Sequence, residues 1–162
     1  FANAATTRPR VNKKKCYFGQ RSLEYLGHII SGKGVEADPT KLEAMSNWSI
    51  PKDAKGLRGF SGLTGYYRRF VRGYGKLAQP LNALLKKDAF KWKWNEESAM
   101  AFVQMKEAMK QLPILRVPDF SKVFILETDA SGTGLGALVL QEDKSLAFWS
   151  KALSERGQQK SV

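Results

Sequence analysis

The sequence predicts an α+β chain: a β-hairpin, then a bundle of helices, then a β-sheet with an open edge. Three observations predict it. Short alternating runs punctuated by glycine come first, and apolar stripes at helical spacing behind capping residues fill the middle. Near the C-terminus an apolar β-rich run, a glycine turn and a second apolar run follow one another.

In chain order, Cys16, Tyr17 and Phe18 and then residues 22–30 alternate as strands, with Gly19, Gly32 and Gly34 as turn points and with Cys16 and Phe18 read as core. Asp38 followed by Pro39 is a helix start, a cap and then proline at the first helical position. Leu42, Met45 and Trp48 supply its apolar stripe, and Ser49-Ile50-Pro51 breaks it. Asp53 is the next cap. Leu57, Phe60, Thr64, Tyr67 and Val71 then recur at helical spacing until Gly73. A short helix carrying Leu81, Leu84 and Leu85 is expected after Gln79-Pro80, ending at Lys86-Lys87. Asn95, with Glu96 and Glu97 in the first turn, caps another that carries Phe102, Val103 and Met109 to about Gln111. Pro113 and Pro118 bound an extended connector. The apolar run of residues 123–126 delivers Asp129 to a strand end; Gly132, Gly134 and Gly136 form a turn, and residues 137–141 form the next strand. The glycine run is no dinucleotide fingerprint, because its third glycine comes one residue early and a strand follows.

Charge points to a polyanionic partner. Among 162 residues, 27 Lys and Arg face 15 Asp and Glu, a net charge of +12. Lone Cys16 excludes an internal disulfide and fits an intracellular, reducing compartment, cytoplasm or nucleus alike. One Cys and one His, His28, exclude a zinc site within a single chain. No apolar run approaches the ~18 residues of a spanning helix, so no membrane partner is expected. Arg8, Arg10, Lys13, Lys14, Lys15 and Arg21 precede the first acid, Glu24, so residues 1–14 read as a disordered basic arm.

Several blocks, in order, resemble one family. Lys14-Lys15-Cys16-Tyr17-Phe18-Gly19 with Glu24-Tyr25-Leu26-Gly27-His28-Ile29-Ile30-Ser31 resembles the primer-grip hairpin of gypsy-class, plant-type LTR-retrotransposon reverse transcriptases. The run from Leu57 through Gly59, Gly62, Gly65, Tyr66 and Tyr67 to Phe70 resembles their thumb helix. Trp94-Asn95-Glu96-Glu97, Leu112-Pro113, Pro118-Asp119-Phe120 and Thr128-Asp129-Ala130-Ser131 resemble the passage into RNase H. The resemblance implies five segments: the arm 1–14, the primer-grip hairpin 15–37, thumb helices 38–90, a connector 91–120, and the start of an incomplete RNase-H-like sheet, 121–162.

It also implies a role for particular residues. Tyr25, Leu26, Gly27 and His28 would form a tight turn holding primer phosphates, although a neutral turn histidine is an equally simple reading of His28. Gly56, Gly59, Gly62 and Gly65 each cost ~1 kcal/mol relative to Ala inside a helix. Tight helix packing would explain them as a set. The resemblance assigns only Gly62, with Tyr66, to close approach to a duplex minor groove, flanked by Arg58, Arg68, Arg69 and Arg72 as counter-charge. Gly59 is left without a role.

Asp129 matches an RNase H carboxylate that would bind Mg²⁺, with Glu127 on the same strand face. No Asp-Asp pair occurs, and the family's further carboxylates are expected before residue 1 and on a helix beyond Val162. The chain is therefore expected to derive from an RNA-directed DNA polymerase and ribonuclease H, yet to be silent in isolation. Its expected function is binding RNA–DNA hybrid or duplex DNA without sequence specificity, with the rest of a polyprotein as a further partner. The alternative is a retrotransposon-derived fragment acting through protein–protein interaction or self-association. Ser61, in the helix stripe, and the doubled Lys-Trp of residues 91–94 depart from the family pattern.

Overall fold

Two aspartates open the helical region as the local code predicts. A computed structural model describes residue 12, residues 16–86 and residues 92–159. In it Asp38 accepts a hydrogen bond from the Thr40 N–H (2.8 Å) and starts helix α1, Pro39–Ser46. Asp53 accepts from Gly56 N–H (2.6 Å) and starts α2, Ala54–Tyr66. Each side chain satisfies one donor that a helix start leaves without a partner. The stripe expected on α2 is buried throughout: Leu57, Phe60, Thr64, Tyr67 and Val71. It does not lie on one unbroken helix. The chain tightens to a 3-10 turn at Arg68–Phe70, and Gly73 adopts φ +71 before α3, Tyr74–Ala83. α3 thus begins at Tyr74, ahead of the start expected after Pro80, and holds Pro80 inside it. Proline there forfeits one intrahelical bond, while Ala78 and Leu81 on either side are buried in the core.

Asn95 caps α4, Glu96–Lys110, accepting from both the N–H and the hydroxyl of Ser98. Its Phe102, Met105 and Met109 meet Phe60, Met45 and Leu57 in one core shared by α1 to α4. Val103, expected on that stripe, is exposed instead. It follows Phe102 and lies about 100° around the helix from it, past the edge of the buried arc. Trp92 and Trp94 stack with ring centroids 5.8 Å apart, and Trp94 meets Phe102 edge-on. This segment is not a strand, so the doubled Lys-Trp extends an aromatic cover over α4. Lys91 lies outside the described residues, as do Lys87, Lys14, Lys15 and residues 1–11, and so does the reading of the basic arm.

The hairpin acquires a third strand. β1 (Ser22–Tyr25), β2 (His28–Ser31) and β3 (Gly34–Ala37) form an antiparallel meander. Cys16 and Phe18 are not core: residues 16–18 form no strand, Cys16 is half-exposed, and Phe18 is 84% exposed. No strand among the described residues pairs with that segment.

The second sheet has the order β4 (Ile125–Ser131), β5 (Gly134–Gln141), β6 (Lys144–Ala152), followed by the short helix α5, Glu155–Gln158. Helical residues thus resume at Glu155, ahead of the helix expected beyond Val162. The glycines expected as a turn belong largely to β5. Pairing continues through Asp129 with Gly136 to Ser131 with Gly134, so Asp129 lies inside β4 rather than at its end. β4 has a partner on one side only among the described residues and is exposed along its length.

The connector joins the sheets. Leu115 is buried and exchanges both backbone hydrogen bonds with Val35 of β3, at 2.7 and 2.9 Å, while Arg116 N–H donates to Ser145 O of β6. Gly34 is required there, since a Cβ would lie 2.2 Å from the Leu115 carbonyl. Gln141, fully buried, accepts from Asp119 N–H and donates to the carbonyl oxygens of Asp119 and Lys122.

Candidate functional site

The β1–β2 turn has two central residues, Leu26 (φ +49) and Gly27 (φ +72). Two residues with positive φ between paired strands make the turn that best follows strand twist. Glycine adopts this freely, whereas leucine does so at a cost of ~1–2 kcal/mol. Two tyrosines from the end of α2 hold it. The Tyr66 hydroxyl donates to Leu26 O (2.5 Å) and the Tyr67 hydroxyl to Gly27 O (2.7 Å), which also accepts from Asp38 N–H. Burial, and then the Asp38 carboxylate and Tyr66, push the Tyr67 hydroxyl up to about 12. It therefore remains a donor at any physiological pH.

His28 lies beneath this clamp. Its ring stacks on Tyr66 (centroids 5.2 Å, 10° between planes), meets Tyr67 edge-on, and tilts against Phe70. Only 9% of the residue is exposed, and Nδ1 is buried with no hydrogen-bond partner among the described residues. Burial, and then the nearby Arg69 guanidinium, hold the imidazole below its usual value. The neutral ring acts here as an aromatic layer between turn and helix.

On α2 the glycines separate into two kinds. A Cβ on Gly59 would sit 3.3 Å from the Trp48 ring, and one on Gly65 would sit 3.4 Å from the Tyr74 hydroxyl. Gly59 thus makes room for Trp48, a role the sequence left open. A Cβ on Gly62 would meet nothing within 4 Å. Arg58, Gly62 and Tyr66 stand four residues apart, so they share one helix face, and all three are exposed. That face runs directly to the clamped turn, where Tyr25 and Leu26 are also exposed. Arg69 joins this surface, its guanidinium over the Phe70 ring. Arg68 is exposed nearby, on the Tyr74 side. Ser61 lies at the margin of the buried stripe, half-exposed, rather than within it.

Asp129 lies apart from the turn. It is exposed in a cleft between the second sheet and the start of α3 that also includes Glu127, Arg72 and Lys76. Among the described residues no group of three or more His, Cys, Asp and Glu could hold a metal ion. Two carboxylates on one strand do not fit a two-metal centre, which draws carboxylates from several elements. Sequence reasoning missed Tyr67 and Lys76, whereas Arg72, expected as counter-charge flanking the α2 glycines, lines this cleft. Tyr67 was assigned only to the core, and nothing in the local sequence signals that its hydroxyl reaches a turn 40 residues away.

Residues 94–162 match the family described as an RNase H-like domain found in reverse transcriptase. The chain is 39% identical over 132 residues to the transposon Tf2-3 polyprotein of Schizosaccharomyces pombe, covering 82% of this chain and 10% of the polyprotein. It is 36% identical over 155 residues to the retrovirus-related Pol polyprotein from transposon 297 of Drosophila melanogaster, covering 96% and 15% respectively. An uncharacterized mitochondrial protein of Arabidopsis thaliana, AtMg00860, is 56% identical over 116 residues, 70% of this chain and 72% of that protein. The chain belongs to the retroelement reverse-transcriptase family. It spans only a small part of the polyproteins it matches. Among solved structures, the foamy viral protease-reverse transcriptase in complex with RNA/DNA hybrid superposes with a TM-score of 0.79 at 19% identity, over 86% of this chain and 20% of that one. The same viral protein in complex with dsDNA gives 0.79 at 18%, over 88% and 30%. Both bear out the α+β fold of a reverse transcriptase.

Proposed function

We propose that this chain is a non-catalytic portion of a gypsy-class retrotransposon reverse transcriptase that binds primer–template nucleic acid, hybrid or duplex DNA, without sequence specificity. The tyrosine clamp carries the reading: Tyr66 and Tyr67 merge the Tyr25-Leu26-Gly27-His28 turn and the Arg58–Gly62–Tyr66 helix face into one surface. An open glycine face lets a helix approach sugars and phosphates, and the arginines supply counter-charge. The foamy viral enzyme of the same fold is seen with both kinds of duplex, which supports the same class of partner here. Mg²⁺ then belongs to the complete enzyme, with Asp129 as one of its ligands. The remainder of the polyprotein completes the site, and the chain acts in the cytoplasm or nucleus.

Fluorescence anisotropy with hybrids and duplexes of unrelated sequence tests this. Affinity should be similar across sequences and fall with salt at a log–log slope of roughly −3 to −6. A flat salt titration would overturn it. The exposed apolar residues along β4, Leu126 at 63% and Val123 at 82% just before it, favour a second reading, self-association through the open edge. Salt-insensitive dimerisation in sedimentation equilibrium would support that instead.

A further inference from the structure

Helix α4 carries apolar residues on two sides. Its inner side, with Ala101, Phe102, Met105 and Met109, is buried in the shared core. On its outer side Glu96, Met100, Val103, Glu107 and Lys110 recur at spacings of four and three residues, which sets them in one ridge along the helix. All five are exposed, Met100 by 61% and Val103 by 57%. Beside the ridge lies a groove of about 440 Å³ between α4 and the segment that follows α1, lined by Trp48, Ile50, Phe102, Val103 and Lys106 among others. Ile50 is itself 60% exposed. Lys106 is held at the groove by its bond to Trp48 O (2.9 Å) and by the Phe102 ring beneath its ammonium. The charges on the ridge are ordered along it. Glu96 stands in the first turn and Lys110 in the last, each seven residues, about 10 Å, from Val103.

We propose that this ridge is a self-association surface, on which a second copy of the chain docks its own α4 antiparallel, about a two-fold axis at Val103. Val103 then meets its own counterpart, and Glu96 of each copy faces Lys110 of the other. Met100 of each copy faces Lys106 of the other, at the mouth of the groove, and an unbranched thioether adapts to such a gap. Charge selects a second copy as the occupant. The ridge is complementary to itself when reversed, as a two-fold interface requires, whereas a parallel copy would set Glu96 against Glu96 and Lys110 against Lys110. Reversal also opposes the two helix dipoles. An acidic peptide would meet Lys106 and Lys110 but also Glu96 and Glu107 on the same ridge. Lys110 gives up only a surface pair with Glu107 (2.6 Å, both side chains about half exposed) to reach the other copy, and exposed pairs of this kind contribute little. A single helix face is a small interface, so the dimer is transient. It is independent of the nucleic-acid reading and uses a different surface from the β4 edge.

The test is sedimentation equilibrium without nucleic acid, at physiological salt, which screens the net charge of +12 beyond about 8 Å. The unaltered chain should show a concentration-dependent monomer–dimer equilibrium. Val103→Glu sets two carboxylates across the axis and should weaken it about tenfold or more with the melting temperature kept, while Leu126→Glu on β4 should leave it unchanged. Glu96→Lys and Lys110→Glu should each weaken it severalfold, and the double variant, again complementary to itself, should recover most of the loss. In a Cys16→Ser background, Val103→Cys should cross-link into a disulfide dimer under a mild oxidant, since facing Cα atoms at helix–helix spacing fall within disulfide reach. Gln104→Cys, about 100° around the helix, should not. A chain that stays monomeric, a double variant no better than the single ones, or equal cross-linking at both positions overturns the α4 dimer. A dimer lost in Leu126→Glu but kept in Val103→Glu overturns it in favour of the β4 edge.

Discussion

The turn-and-helix half of this chain and its second sheet solve opposite problems with similar materials. Around α2, aromatic rings close on one another: Phe60 meets Phe102 at 4.6 Å between centroids, and Tyr66, Tyr67 and Phe70 enclose His28. In β4 every residue is exposed, though Ile125 and Leu126 are as apolar as anything in the core. Burial, rather than hydrophobicity of the segment, separates them. A helix can bury a stripe against neighbours close in sequence, while a strand needs a second layer and two edge partners. β4 has one edge partner among the described residues. The first half can therefore hold a strained turn rigidly, and the second is stabilised chiefly through β6 and the connector.

The largest expected effect sets the two regions directly against each other. Phe60→Ala should cost about 3–5 kcal/mol, and Leu126→Ala under about 1, because only the first leaves a cavity. Urea denaturation of both variants measures this, and equal losses would erase the contrast. Gln141→Leu should follow at about 1–3 kcal/mol, since it removes the three hydrogen bonds of a fully buried side chain to the Asp119 loop and deprives the Asp119 N–H of its acceptor. Hydrogen exchange should quicken in the second sheet before it does in α2.

Tyr67→Phe isolates the clamp, removing one hydrogen bond and no packing. A loss of about 1 kcal/mol is expected, with weaker duplex binding if the turn must be held in place. Gly62→Ala should do the reverse for stability, adding up to about 1 kcal/mol because its Cβ meets open space. Under the proposed function it also weakens hybrid binding, and unchanged affinity would show that this face does not meet the duplex. The smallest effect is that of pH. His28 is held below its usual 6.5 in the folded chain, so the unfolded chain binds the extra proton first. Its contribution is fully present above about pH 6.5 and falls as pH drops from there toward the folded value. Melting temperatures at pH 7.5 and 5.5 should differ less in His28→Phe than in the unaltered chain.

Much of the fold was legible because its rules are local. Asp38, Asp53 and Asn95 start helices where an oxygen beside free N–H groups must start them. The α2 stripe could be read from spacing alone, and so could the charge excess and the order of the family blocks. Other features depended on partners distant in sequence. α3 begins ahead of Pro80 because Gly73 turns the chain and Gly75 docks on β6. Gly59 and Gly62 are identical letters three residues apart. Only the Trp48 ring makes one a packing residue and leaves the other an open face. Asp129 and Glu127 share a strand face by alternation, but Arg72 and Lys76 come to lie in the same cleft only because α3 packs on the sheet. Capping and periodicity are properties of neighbours in sequence. The company a side chain keeps across 40 or more residues is decided by how the layers close.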